Sequence, residues 1–163
     1  MSNVVNKEIL LETLKSFRLD GDVISCEPYG QGHINSTQLV VCTSGKRYIF
    51  QKISTRAFKD VPALMENIDL VTSYLRREAT DPRTVLTLVY THDDKAFCEN
   101  EHGYWRVYDF VEGSICLQKA ETDEDFYQSA VAFGNFQQQL GGFPVEKLHE
   151  TIPNFHNTPT AIA

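Results

Sequence analysis

Positive charge is scarce in this sequence. Its 163 residues hold 15 Lys and Arg against 22 Asp and Glu, a net charge of -7. Nonspecific nucleic-acid binding needs a basic surface, so no nucleic-acid partner is expected. Long apolar runs are also missing. None approaches the ~18 residues of a membrane span, and the opening MSNVVNKEILLETL has no charged-then-apolar leader pattern. The expectation is a cytoplasmic chain without a membrane partner. Cys26, Cys42, Cys98 and Cys116 include no CxxC pair, which argues against zinc. Cys42 and Cys98 fall in apolar, strand-like runs, and all four read as free thiols in a reducing compartment. His33, His92, His102, His149 and His156 show no HxH or HxxxH spacing, so no metal site is expected. Neither a GxxxxGK[ST] phosphate loop nor a GxSxG nucleophile context occurs.

What remains suits a folded domain. The hydrophobic fraction is 42% and the charged fraction 23%, and the length fits one domain or one domain plus part of a second. An acidic chain can still hold ATP through local backbone N–H groups and a metal ion.

Apolar spacing over Asn3 to Phe17 predicts a helix ended by LDGD. Val23 to Tyr29, Thr37 to Thr43 and KRYIFQKIS predict three strands joined by short connections, the second and third through the TSGK turn. Asp60 and Pro62 then open a second helix as N-cap and first-turn proline. Its stripe is Leu64, Ile68, Val71 and Leu75. Thr84 to Thr91, Lys95 to Asn100 and YWRVYDFV predict further strands. Asp123 to Leu140 predicts a last helix with Phe126, Ala130, Phe133, Phe136 and Leu140 on one side, ended by Gly141-Gly142. The order predicts an α+β fold. It has an antiparallel sheet of about five strands with one packed helix, followed by helix; this is the plan of a kinase small lobe, and other α+β domains share such an order.

Three constellations carry possible chemistry. In EPYGQGHINSTQLVV, Gly30 and Gly32 allow close backbone approach to a phosphate, and Asn35, Ser36 and Thr37 offer donors beside His33. Such a loop between two strands covers phosphates as in protein kinases; read alone, it is equally a strand-to-strand turn. In YIFQKI, Lys52 stands where a strand lysine reaches phosphates, with Glu66 or Asp69 on the next helix as its acid; a solvated edge lysine and a surface glutamate read the same way. Alternation puts Gln51 and Lys52 on opposite faces, so only one can face a nucleotide. In YWRVYDFVEG, Asp109, Phe110, Val111 and Glu112 suit a hinge whose backbone could pair with an adenine edge; an ordinary strand end reads the same way.

Together EPYGQGHINSTQLV, YIFQKI, LMENIDLVTSYL, YWRVYDFVEG, AFGNFQQQL and LHETIPNFHNTP resemble the aminoglycoside phosphotransferase and choline kinase superfamily, closest to N-acetylhexosamine 1-kinase and its relatives. The resemblance implies a two-lobed kinase-like fold that binds ATP and Mg²⁺ and phosphorylates a small molecule, here a sugar acceptor. Carried over residue by residue, Gly30 to Thr37 is the nucleotide loop and Asp109 to Glu112 the hinge. Relatives vary at Lys52 and at Glu66, and favour glutamine at the position of Gln51.

The superfamily's catalytic loop, H-[GN]-D-x-x-x-x-N, and its later metal-binding Asp are missing. Asp93 of HDD has Cys98 at the distance where Asn is needed, and DED at Asp123 opens a helix. Residues 1–111 are expected to form the amino-terminal lobe, and 112–163 the hinge exit and the truncated start of the helical lobe. Without base or metal ligands, these residues are expected to transfer no phosphate alone. The helix 123–140 is expected to expose an apolar face that invites self-association. The competing readings are a non-catalytic nucleotide- or partner-binding module, and an unrelated sensor-type α+β domain.

Overall fold

The computed structural model describes residues 6–30, 32, 34–77, 79–115, 117 and 119–155. Helix α1 (Lys7–Leu14) starts where the Asn6 side chain accepts the Glu8 N–H at 3.1 Å. Three strands follow, β1 (Val23–Pro28), β2 (Ser36–Cys42) and β3 (Arg47–Ile53). Helix α2 (Val61–Arg76) opens as the sequence predicts, with Asp60 accepting the Ala63 N–H at 2.9 Å and Pro62 in the first turn. Then come β4 (Leu88–Val89), β5 (Cys98–Asn100), β6 (Gly103–Asp109) and α3 (Asp123–Gln139).

The sheet is antiparallel with six strands. Its order is β1-β2-β3-β6-β4, and β5 also pairs with β6. The class is α+β, as expected, with one strand more than the count of about five. Two predicted strands shrink. Asp81 accepts the Arg83 N–H and turns residues 82–84 into a short 3-10 turn, leaving Leu88–Val89 of the run Thr84 to Thr91. Lys95 to Asn100 reduces to Cys98–Asn100, because Thr91 and Lys95 close a turn in which the Lys95 carbonyl accepts the Thr91 N–H. The part of the first predicted helix before residue 6 lies outside the described residues.

Two cores occupy the two faces of the sheet. On one, Leu10, Leu14 and Phe17 pack against Cys26, Val40, Tyr48, Phe50, Trp105 and Val107. Trp105 stacks on Phe50 with ring centroids 5.0 Å apart. On the other, Val61 and Met65 of α2 pack against Ile53 and Leu88. The stripe expected for α2 is therefore shifted. Val61, Met65, Thr72 and Leu75 are its buried residues, while Ile68 and Val71, with Leu75, line a cavity of about 520 Å³ beside α3. An apolar arc wide enough for two surfaces reads as one stripe in sequence.

Helix α3 has a capping box, Thr122 accepting the Asp125 N–H while the Asp125 carboxylate accepts the Thr122 N–H. None of its side chains is buried. Phe126 is 67% and Phe133 69% exposed. Among the described residues, no helix is long and apolar enough to cross a membrane.

Candidate nucleotide site

Strand register decides which side chains share the α2 face. Tyr48 and Phe50 lie in the α1 core, so alternation turns Ile49, Gln51 and Ile53 to α2. Cross-strand pairing then builds two rows. Thr37 stands opposite Gln51, and Gln51 opposite Arg106. One step nearer the end of β6, Leu39 stands opposite Ile49, and Ile49 opposite Tyr108.

The first row is a continuous hydrogen-bonded ladder. Gln51 Nε2 donates to Thr37 Oγ1 at 2.9 Å, and Gln51 Oε1 accepts from Arg106 Nη2 at 2.8 Å and Nε at 3.0 Å. Arg106 Nη1 approaches Met65 Sδ at 3.9 Å, a weak contact. Burial draws the Arg106 guanidinium below its ordinary value. Burial likewise raises the Tyr108 phenol, and the Arg106 charge beside it acts the other way. The second row is largely apolar. Ile49 is buried, and Leu39 and Tyr108 are half-buried.

The glycine loop leaves the sheet at the Thr37 end of the ladder. The Tyr29 N–H donates to the Thr37 carbonyl at 3.0 Å and closes its base. Gly30 has φ +77, a conformation that a side chain disfavours. Gly32 has no neighbouring atom within 4 Å of where a Cβ would stand. His33 lies outside the described residues. Asn35 Oδ1 accepts the Ser54 N–H at 3.0 Å and pins the loop's end to the exit of β3. Ser36 pairs with Lys52 on the α1 side of the sheet.

Lys52 is on the face away from α2. Its Nζ sits 5.4 Å from the centre of the Trp105 ring, with its stem beside Gly103. The proposed acids are engaged elsewhere. Glu66 Oε2 is 2.7 Å from His149 Nε2, and Asp69 accepts the Tyr90 hydroxyl. The Asp69 bond, with burial, raises the Tyr90 phenol above its ordinary value. The expected Lys52–Glu66 pair is thus corrected, and so is the Lys52–Asp69 alternative: strand alternation separates their faces. Of the two β3 residues left open, Gln51 shares the α2 face.

Asp109 ends β6, with Lys46 Nζ 3.3 Å from its carboxylate. The Phe110 N–H donates to the Arg47 carbonyl. Arg47 lies 4.2 Å from the Phe110 ring centre and forms a two-pronged ion pair with Glu112, which lowers the Glu112 carboxyl and raises the guanidinium. Tyr29 meets Phe110 edge to face at 5.8 Å. The Val111 carbonyl accepts from Ser114. The loop entry and the segment expected to be a hinge therefore touch through the Tyr29 and Phe110 rings, with the apolar row of Leu39, Ile49 and Tyr108 on the adjoining strands. Among the described residues, no three His, Cys, Asp or Glu side chains gather as metal ligands.

Arg106 escaped the sequence reading although it lies inside YWRVYDFVEG. The signal was its alternation with Tyr104 and Tyr108. Its meaning depends on β6 pairing with β3, a contact between strands distant in sequence.

No protein-family model matches the sequence. Solved structures do share the fold. An aminoglycoside phosphotransferase from Alicyclobacillus acidocaldarius aligns with a TM-score of 0.65 and 11% identity, over 92% of this chain and 39% of its own. Spectinomycin phosphotransferase, in complex with ADP and spectinomycin, aligns with a TM-score of 0.55 and 16% identity, over 85% of this chain and 38% of its own. The chain thus has the fold of part of an aminoglycoside phosphotransferase and spans about 39% of the first neighbour's length.

Proposed function

We propose that this chain is the nucleotide-binding portion of a small-molecule phosphotransferase, with residues 1–111 as the amino-terminal lobe and 112–163 as the hinge exit and start of the helical lobe. The observation that carries this reading is the pair of rows on the α2 face. The apolar row Leu39, Ile49, Tyr108 adjoins the hinge at Asp109 to Glu112 and suits a purine. The polar row Thr37, Gln51, Arg106 begins under the glycine loop and suits phosphates. One fold neighbour carries ADP, which supports ATP as the nucleotide. The acceptor in the complete protein is a sugar hydroxyl, with N-acetylhexosamine the favoured class from the blocks quoted above.

Among the described residues no three His, Cys, Asp or Glu side chains gather, and no catalytic loop motif occurs in the sequence. The described residues' part in the reaction is to bind and orient the nucleotide. By themselves they transfer no phosphate. The same missing motif favours a second reading, a kinase-like nucleotide- or partner-binding module without chemistry. Both readings need nucleotide binding or a partner, and they separate on whether a catalytic loop supplied from elsewhere restores transfer.

The test is the melting temperature with and without ATP and Mg²⁺. Ligand at about a hundred times its dissociation constant adds about 2.7 kcal/mol, and a domain of this size shifts by roughly 2–4 °C per kcal/mol. Gly32→Val should leave the unliganded melting temperature nearly unchanged, since the space around Gly32 is open, and should remove most of the ATP shift. No ATP shift in the unaltered chain would overturn the reading.

A further inference from the structure

We infer that Arg106, held by Gln51, is the cation that receives the nucleotide's phosphates, in the role the sequence first offers to Lys52. This rests on the nucleotide-binding reading above and assigns a residue to it. Two cations occupy the α2 face of the central strands. Arg47 is neutralised by Glu112. Arg106 has no carboxylate at ion-pair distance among the described residues. A guanidinium has five N–H donors. Gln51 Oε1 takes two of them, and Met65 sulfur is a poor acceptor for a third.

A half-buried cation with spare donors and only neutral partners is costly unless an anion completes it. Its flat fork matches phosphate oxygens. Arg106 also lines the cavity between α2 and α3, so it can be reached rather than being sealed in the core. The other end of its ladder, Thr37, lies at the base of the glycine loop. Two strand spacings, about 10 Å, separate the ends, a distance a triphosphate lying under the loop can bridge. Gln51 acts as the positioning residue, because one amide fixes the guanidinium on one side and the Thr37 hydroxyl on the other.

Binding of ATP (with Mg²⁺) and of adenosine to the full chain, compared by calorimetry, tests this. Arg106→Met should weaken ATP about 10- to 100-fold, the value of hydrogen bonds to a charged group, and leave adenosine unchanged. Gln51→Glu guards against a misfolded variant. It places a carboxylate against Arg106, should raise the melting temperature, and should weaken ATP to a similar degree with adenosine again unaffected. ATP affinity equal to the unaltered chain in a folded Arg106→Met or in Gln51→Glu would overturn the assignment alone. Failure of the unaltered chain to bind either ATP or adenosine would overturn the nucleotide reading, and the assignment with it.

Discussion

Glu66 and His149 meet at 2.7 Å, carboxylate to imidazole. The pairing sets a residue expected to hold a phosphate-binding lysine against the chain's last described segment, which the neighbouring Asn67 fastens. Asn67 does so by donating to the His149 carbonyl and accepting the His149 N–H, each at 2.8 Å. Nearby, Phe143 is buried against Tyr74 edge to face. Asn67→Ala removes two hydrogen bonds of about 0.5–1.5 kcal/mol each. It should speed limited proteolysis between residues 141 and 155 while leaving the sheet intact by circular dichroism. Glu66→Gln keeps a hydrogen-bonding group against the exposed His149 ring and should change proteolysis little. Equal rates for Asn67→Ala and the unaltered chain would refute the fastening.

Lys52→Met separates the two strand residues. Lys52 faces Trp105 and not α2, so ATP affinity should stay within about twofold of the unaltered chain, under ~0.4 kcal/mol. Stability should fall by about 0.5–1 kcal/mol, the value of an exposed cation–π contact. A large loss of ATP affinity would return the phosphate role to Lys52.

Cys26 gives the protein a specific weakness to alkali. Burial, with a smaller contribution from Glu27, pushes its thiol from the ordinary 9.0 up to about 11. Between those values the unfolded chain has released a proton that the folded chain keeps. Stability contributed by the neutral thiol is therefore complete below pH 9 and lost as pH rises to about 11. Urea midpoints should fall over that window, and Cys26→Ala should flatten part of the fall. An identical slope in the variant would show that Cys26 has no share in it. The same burial should keep iodoacetamide from Cys26 until the chain unfolds.

The exposed rings of α3 should make the chain concentration-dependent in solution. Phe126 and Phe133 are two helical turns apart on one side. Sedimentation velocity should show dimers or larger species that dissociate on dilution. The double variant Phe126→Glu and Phe133→Glu should sediment as a monomer with an unchanged melting temperature, since neither ring is buried. A monomeric unaltered chain at all concentrations would sink this prediction.

Local chemistry carried much of the fold into the sequence. The Asp60-Pro62 helix start, the first three strands with their TSGK turn, and the Gly141 helix end were each written in a few adjacent residues, and each is found in place. The site was less legible. Which of Gln51 and Lys52 faces α2 depends on whether Tyr48 and Phe50 join the α1 core, a tertiary fact. Glu66 was read as a lysine partner because its true neighbour, His149, lies far along the chain in a tail without periodicity. Arg106 was present in a quoted motif, but its partner Gln51 is found only once β6 settles beside β3. The glycine loop was visible as composition. Its fastening through Asn35 to Ser54 was not.

The placement of β6 bears on the order of assembly. Strands β1, β2 and β3 follow one another directly, so they can zip together with little loop-closure cost. Strand β6 must return to β3 across α2, β4 and β5, and slower non-local docking of this kind governs folding rate. The chain's single tryptophan, Trp105, lies on β6 and is buried against Phe50 of β3. Its fluorescence therefore gives the folding reaction a built-in clock hand. The emission shift marks the moment the returning strand docks, and with it the moment the Gln51–Arg106 contact can first form.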